Sequence, residues 1–405
     1  MNKKILHLNF SDDGGAGIAV KRINECLLKL NIDTKILVAE KNTEDKNIIY
    51  NQSSFNNFLW KQKKKISRNL KFFFKTNNTV THSISFIKSN ILSQIEKYNP
   101  DILNIHWIGN ELISLEQIKK IKIPILWTLH DMWLYCGAEH YSYNSDRFVN
   151  GYLKENRPST ESGFDLNKWV WERKKKNLPK EFDVIATSNW QYNNAKKSNL
   201  LKDKKIHKLA LPIDTNFWKP IKKNEARKIL GWDLNKTYFL FGFSNYGKKY
   251  IKGLDISLNI FENFKNQNPK KNVNLNIFGE TKNYNVDKNN INLLGPINDP
   301  HKLKLIYSAS DLLLNTSRLE SLGQIALESL SCNLPIVTMK NSGTSDLILN
   351  ENMGFKFNEN IDEFNKWFLK IHSNINQNNL HSEIKKKFSY EVIGENYKKF
   401  FENYK

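Results

Sequence analysis

One alternation limits what this chain can fold into more than any other feature. Short apolar runs of strand length trade places with stretches whose apolar residues recur at helical spacing. This happens twice, on either side of a proline-bearing break. Lys4–Phe10 reads as a strand running into Gly14-Gly15-Ala16-Gly17, after which Ala16, Ala19, Val20, Ile23, Leu27 and Leu30 recur as one helical face. Thr34–Ala39, Asp101–His106, Ile125–His130 and Val184–Thr187 read as further buried strands. Leu211–Pro220, with prolines at both ends of its core, breaks the rhythm. Beyond it strands are expected at Tyr238–Phe243, Val273–Phe278, Ile291–Leu294, Asp311–Asn315, Pro335–Thr338 and Gly354–Phe357. Helices are expected near Leu254–Phe264, Pro300–Ala309 and Gly323–Cys332. Parallel strands need crossover helices, so the pattern predicts an α/β chain with two doubly wound, Rossmann-like domains. The first spans residues 1–210 and the second 211–388, and a closing helix over 389–405 is expected to return to the first. Such sheets bind ligands beyond the carboxyl ends of their strands, in a cleft if two of them face each other.

Composition narrows the partners. The chain has 405 residues, 40 % hydrophobic and 25 % charged, an ordinary globular balance. No apolar run approaches the ~20 residues of a membrane-spanning helix, and the apolar start is too short for a signal peptide. Cys26, Cys136 and Cys332 are odd in number and scattered, which fits neither a disulfide framework nor a zinc site and points to a reducing cytoplasm. The formal charge is +21, with 62 Lys and Arg against 41 Asp and Glu. It is concentrated in the first half, most sharply in Lys61–Lys75, which holds seven positive side chains and no negative one. Those charges are interleaved with Ile66, Leu70, Phe72, Phe73 and Phe74. A basic, apolar-faced helix there suits an anionic inner-membrane surface, or equally a helix packed on its own domain with solvated lysines.

Four segments sit where chemistry is expected. In the glycine turn, Gly15 and its neighbours allow close backbone approach, and the following helix N-terminus favours a phosphate. The turn is not a Gly-x-Gly-x-x-Gly fingerprint, and it also fits a plain tight turn. Glu320 and Glu328 are separated by seven residues. With a helix starting near Ser321 they would stand ~12 Å apart along the axis, too far to bracket one bond as a hydrolase pair. That spacing suits a ligand with hydroxyls at two separated places, and amides of Leu322 and Gly323 would face a phosphate between them. Lys248, Lys249 and Lys252 lie between a strand end and a helix, where a lysine neutralises a diphosphate. His130, with Asp131, follows one strand, and His106 ends the strand before it. Taken singly, each segment also admits a purely structural role. The polar stretch Glu139–Asp165 reads as a lid or acceptor-side loop.

Taken together and in this order, these segments resemble the retaining glycosyltransferases of family 4, also called group 1. The Glu-x₇-Glu block is the most specific part, followed by Cys332-Asn333-Leu334-Pro335-Ile336-Val337, Leu211-Pro212-Ile213-Asp214, Tyr307–Asp311, and Gly343 with Asp346. The Thr128-Leu129-His130-Asp131-Met132-Trp133 stretch and Gly137 to Tyr141 look like a bacterial polysaccharide-assembly branch. The resemblance implies the GT-B architecture, two facing Rossmann-like domains, and transfer of a sugar from a nucleotide-sugar donor to a glycan or polyprenyl-linked glycolipid hydroxyl with retention. It implies that Gly15 lies against the donor phosphate and that His130 hydrogen-bonds the transferred sugar. Lys252 would hold the diphosphate, Glu320 sugar hydroxyls, Leu322 and Gly323 a phosphate, and Glu328 the ribose. His130 and Glu320 are the implied catalytic pair, and Leu294–Ile297 a base contact.

The family's usual Arg partner of the diphosphate lysine is replaced by Gly242-Phe243-Ser244, which leaves Lys248 or Lys249 to substitute. Asn333 stands where Gly is usual, a tolerable exchange because Asn also accepts positive φ. The sequence has no Asp-x-Asp, so no metal and no cofactor beyond the donor is expected. The expected setting is cytoplasmic, with optional peripheral attachment to the inner membrane through Lys61–Lys75. A nucleic-acid-binding reading rests on charge alone, and a nicotinamide dehydrogenase or epimerase needs a dinucleotide fingerprint that is missing. No nucleic-acid partner is therefore expected.

Overall fold

Buried apolar strands need cover on both faces, and both halves of the chain meet that need in the same way. The computed structural model describes residues 3–50, 62, 64–69, 72–243, 250–281, 290–372 and 379–404. By the contacts its residues make, the chain divides into two units, Met1–Pro212 with Ile393–Lys405, and Ile213–Val392.

The first unit is built on β1 (Ile5–Ser11), β2 (Thr34–Glu40) and β3 (Ile48–Tyr50). A two-residue β4 (Phe74–Lys75) is followed by β5 (Ile102–Ile105) and β6 (Ile125–Leu129). The short β7 (Ser162–Gly163) pairs antiparallel with β4, while β8 (Asp183–Ala186) and β9 (Ile206–Lys208) complete the main sheet. That sheet is parallel and seven-stranded, in the order β3-β2-β1-β5-β6-β8-β9. Every residue of β1 is buried. The helix Gly14–Lys29 turns Ala19, Val20, Ile23, Cys26 and Leu27 inward. The last helix, Tyr390–Asn403, carries the chain back into this unit. There a Cβ on Gly394 would stand 3.2 Å from Leu30 and 3.4 Å from Cys26, Tyr397 is fully buried, and the Tyr404 hydroxyl donates to Ile125 O at 2.8 Å.

The second unit has β10 (Thr237–Phe243), β11 (Val273–Gly279), β12 (Ile291–Gly295), β13 (Leu312–Asn315), β14 (Ile336–Met339) and β15 (Gly354–Phe357). They form a parallel six-stranded sheet in the order β12-β11-β10-β13-β14-β15. Phe239, Phe264, Phe364 and Phe368 interlock in its core, with Phe239 and Phe368 rings 5.0 Å apart at 84°. The helix Lys223–Leu230 is pinned by Arg227, which donates to Asp311 Oδ2 at 2.7 Å with both side chains nearly fully buried.

Several local expectations change. The helix after Glu320 begins at Gln324, one residue after the expected Gly323 and three after the Ser321 start used for the Glu320–Glu328 spacing, because Gly323 adopts φ +86° and turns the chain into it. The stretch Glu139–Asp165 is not a loose lid. Arg147, 2 % exposed, donates to Asp165, Asn156 and Leu153 O, and Tyr152 is buried against Glu139. Part of its polar composition is therefore an internal network. Within Lys61–Lys75, residues 61, 63, 70 and 71 fall outside the described residues. Lys64 pairs with Glu40 at 2.8 Å, and the buried Ser67 donates to Glu111 at 2.8 Å, so this helix packs on its own unit. Ile66, Phe72 and Phe73 remain exposed, at 53 %, 83 % and 65 %. Among the described residues, no helix is long and apolar enough to cross a membrane.

Candidate functional site

In the first unit the chain turns out of β1 directly into the helix Gly14–Lys29. Two of its three glycines are demanded by geometry. Gly14 sits at φ +67°, and a Cβ on Gly17 would come within 2.6 Å of the Asp12 carbonyl carbon. Gly15 has ordinary φ and nothing within 4 Å of where its Cβ would be, so the fold leaves open space beside it. No side chain caps this helix, and its first-turn amides form an anion-attracting end. Asp12 is occupied in bracing the neighbouring loop, accepting from the amides of Asn42 and Thr43 at 2.7 and 2.8 Å.

The histidines cluster at the ends of β5 and β6. His106 Nδ1 and His130 Nε2 are 2.8 Å apart, and His106 Nε2 lies 2.9 Å from His7 Nδ1. The recess here is lined by His106, His130, Asp131, His140, Trp107 and Trp133, among others. Burial pushes His130 down to about 4, against the opposing pull of the Asp131 charge. Burial, then the neighbouring histidines, holds His106 well below the usual imidazole value. Asp131 is bound to His140 Nδ1 at 2.5 Å and accepts from the Trp133 amide at 2.9 Å. Burial alone would raise its carboxyl, but the charge and hydrogen bond of His140 outweigh it, and the net shift is downward. Asp131 therefore serves to seat His140 and the turn that follows His130.

In the second unit, Lys252 precedes the helix Leu254–Gln267 and Glu320 precedes the helix Gln324–Ser331. The Lys252 ammonium forms an ion pair with Glu320 Oε2. The two loops are held together independently of that pair. A Cβ on Gly253 (φ +73°) would lie 2.0 Å from Thr316 O, and the Thr316 hydroxyl donates to Gly253 O at 2.7 Å. Arg318 forks onto Asp255 at 2.7 and 2.6 Å and donates to Tyr250 O at 2.6 Å. That fork holds the Asp255 carboxyl below its usual value against a smaller effect of burial. Neither the Leu254–Gln267 helix nor the Gln324–Ser331 helix carries a side-chain N-cap. Glu328 is buried and accepts from the Tyr307 hydroxyl at 3.0 Å. Leu322 is buried, and Gly323, whose Cβ would meet Thr344 Oγ1 at 2.9 Å, is the turn into the helix. The helix itself therefore begins at Gln324, next to the Leu322 and Gly323 amides named from the sequence.

The structure thus joins Lys252 to Glu320 and His106 to His130, and places Gly15 beside open space. Glu328 lies within the helix that Glu320 precedes, tied to Tyr307. Lys248 and Lys249 lie outside the described residues. Sequence reasoning gave no individual role to His7, Asn104, His140, Tyr307 or Arg318, although Tyr307 and His140 lie in segments that carried the resemblance. An arginine two residues before Glu320 was the available signal for the last. Among the described residues, no group of three or more His, Cys, Asp or Glu side chains is placed to hold a metal ion.

No curated protein sequence matches this chain. Solved structures do match its fold over nearly its whole length. Sucrose-phosphate synthase from Thermosynechococcus elongatus aligns at TM-score 0.66 with 13 % identity, covering 99 % of this chain and 98 % of that one. WaaG, a glycosyltransferase involved in lipopolysaccharide biosynthesis, aligns at 0.65 with 13 % identity, covering 98 % and 100 %. Anabaena HepE, solved with UDP and glucose, aligns at 0.62 with 14 % identity, covering 99 % and 100 %. At such identities the likeness is one of fold, and the α/β, GT-B class expected from the sequence is the class observed. Residues 222–388, most of the second unit, match the family described as Glycosyl transferases group 1.

Proposed function

We propose that this chain is a retaining glycosyltransferase, moving a sugar from a nucleotide-sugar donor to a hydroxyl of a glycan or glycolipid acceptor. The observation that carries the reading is the Lys252–Glu320 pair. It stands before two uncapped helix N-termini, inside the segment that matches the group 1 family. Lys252 and the amides from Gln324 onward offer positive potential to a diphosphate, and Glu320 offers a carboxylate to sugar hydroxyls. Glu328, positioned by Tyr307, is assigned the ribose hydroxyls. In the first unit, Gly15 is assigned the donor phosphate and His130 the transferred sugar.

In the reaction the bond from the anomeric carbon to the diphosphate oxygen breaks and the acceptor oxygen bonds to the same face of that carbon. The acceptor's proton passes to the departing phosphate oxygen. Fixed amides and the lysine stabilise the charge that develops on the leaving group, an electrostatic form of catalysis that needs no nucleophilic carboxylate. The test is a thermal-shift screen across UDP-, GDP-, dTDP- and ADP-sugars, followed by linkage analysis of the product. Stabilisation by none of them, with no transfer, would remove the reading.

The acceptor side extends the proposal to cell-surface polysaccharide assembly at an anionic inner membrane. Exposed Phe72 and Phe73 next to Lys65, Arg68 and Lys75 are the supporting feature, an apolar wedge within a basic field. Replacing Phe72 and Phe73 by Ser should reduce sedimentation with vesicles containing phosphatidylglycerol and leave donor stabilisation unchanged. Undiminished sedimentation refutes this part alone.

A further inference from the structure

Polar side chains on one face of the first sheet are joined into a single hydrogen-bonded line. His7 on β1 and Asn104 on β5 are register partners across the strand pair. His106 follows Asn104 by two residues and His130 follows Thr128 by two, so strand periodicity sets them on the same face. The Thr128 hydroxyl donates to Asn104 Oδ1 at 2.9 Å, and Asn104 Nδ2 approaches His7 Nδ1 at 3.3 Å. His7 Nδ1 also meets His106 Nε2 at 2.9 Å, and His106 Nδ1 meets His130 Nε2 at 2.8 Å.

The direction of this line can be worked out one proton at a time. Thr128 donates to the Asn104 carbonyl oxygen, which turns the amide nitrogen, a donor only, toward His7. His7 Nδ1 must then carry its lone pair, so the proton shared with His106 sits on His106 Nε2. A neutral His106 has only a lone pair left at Nδ1, so His130 supplies the next proton from its Nε2. Burial keeps the rings neutral, with His7 held down at about 3 and His130 at about 4. The line ends inside at His7 Nε2, which meets no hydrogen-bond partner among the described residues and lies in a ring that contacts Phe401 edge-on at 6.4 Å.

We propose that this relay fixes His130 with Nε2 protonated, so that its Nδ1 is an obligate acceptor for a hydroxyl proton of the transferred sugar. His106, His7 and Asn104 are the positioning residues. The inference rests on the reading of His130 as a sugar contact, and it adds a chemical requirement. The sugar must donate at that position, so an O-methyl or keto group there, which can only accept, sets lone pair against lone pair.

The test is long-range ¹H–¹⁵N correlation on the full chain labelled at histidine, near neutral pH. All three rings should show a protonated Nε2 and a bare Nδ1; a bare Nε2 on His130, or an imidazolium at any of the three, overturns the proposal. Asn104→Asp replaces the donor by a carboxylate, which draws the proton onto His7 Nδ1 and reverses the line. His130 should then carry its proton on Nδ1 and kcat should fall about tenfold, the scale of one hydrogen bond. Stabilisation by the bare nucleoside diphosphate should not change. Should that variant fail to fold, Thr128→Val frees the Asn104 amide to turn over, and His130 should then show both tautomers; a spectrum unchanged from wild type overturns the relay. If the wild-type tautomers are as assigned but no nucleotide-sugar stabilises the protein, the relay stands and the sugar-contact reading fails. If sugar is transferred while His130 is bare at Nε2, the reading stands and the relay fails.

Discussion

Lys252 and Glu320 hold each other, and under the proposed function a donor would have to take both. Glu320→Gln separates these two roles. The replacement keeps the shape and leaves in place the main-chain bond from the Gly343 amide to Glu320 O at 2.8 Å, so the loop keeps its path. What disappears is the charge that competes with a diphosphate for the lysine. The side chains are 26 % and 15 % exposed, between a surface pair and a buried one. An ion pair of this exposure is worth about 1 kcal/mol, so releasing Lys252 should tighten binding of a bare nucleoside diphosphate about fivefold. Turnover should move the other way. Loss of a charge-assisted bond to a sugar hydroxyl removes about 1.5–3 kcal/mol, or roughly a ten- to hundredfold drop in kcat. Calorimetric titration with the nucleoside diphosphate selected by the donor screen, alongside steady-state transfer, measures both. Lys252→Met should weaken the same titration. If Glu320→Gln weakens nucleoside diphosphate binding in step with turnover, the pair is a strut holding two loops and the shared-site reasoning is refuted.

Three other outcomes follow from named contacts. Glu328→Ala should weaken nucleotide-sugar binding about tenfold in titration, the scale of one hydrogen bond to a charged group, with a smaller effect on kcat at saturating donor. Asp311→Ala removes the partner of buried Arg227 and the acceptor of the Tyr238 amide, bonded at 2.7 and 2.8 Å; it should destabilise the second unit by about 3–5 kcal/mol in urea unfolding. Acidification should lower the thermal midpoint between about pH 6.5 and pH 4. The depressed His7, His106 and His130 contribute stability that is fully present above the unfolded value of 6.5 and is lost as pH falls toward their folded values. Burial raises Glu139 to about 7, which acts in the opposite sense over this range and is outweighed by the three rings. His7→Phe should flatten the acid limb.

The longest strands that the sequence displayed were those buried on both faces, although the half-buried edge strand β12 was displayed too. β1, β10 and β11 are mainly apolar and all of their residues are buried, with His7, Asn9, Asn274 and Asn276 among them. The edge strands β3 and β9 were not legible: each has three residues, and most of those are half-buried. The helix Leu166–Asn177 escaped for another reason. Its inward face includes Lys174, fully buried above the Trp133 ring and donating to the carbonyls of Cys136 and Gly137 at 3.0 and 2.6 Å. A lysine that caps a turn from within breaks the apolar stripe that periodicity relies on. The helix Lys223–Leu230 is similar, because its inward anchor is Arg227.

The same distinction governs the candidate site. Glu320, Glu328 and Lys252 were legible because each lies a few residues from a helix start, a local relation that spacing along the chain records. The histidine line is nonlocal. Its residues come from β1, β5 and β6, and only strand order and register bring them together: His7 faces Asn104 because Ile5 pairs with Ile102. A one-residue slip of β5 against β1 would turn Asn104 and His106 to the other face of the sheet. The relay is therefore specified by the burial pattern that sets this register, with every residue of both strands buried. Core packing and proton placement are coupled through it. A core change in β1 or β5 that shifts register should alter the tautomer of His130 before it alters the position of its backbone. Histidine tautomer is for that reason a more sensitive readout of damage to this sheet than loss of the fold.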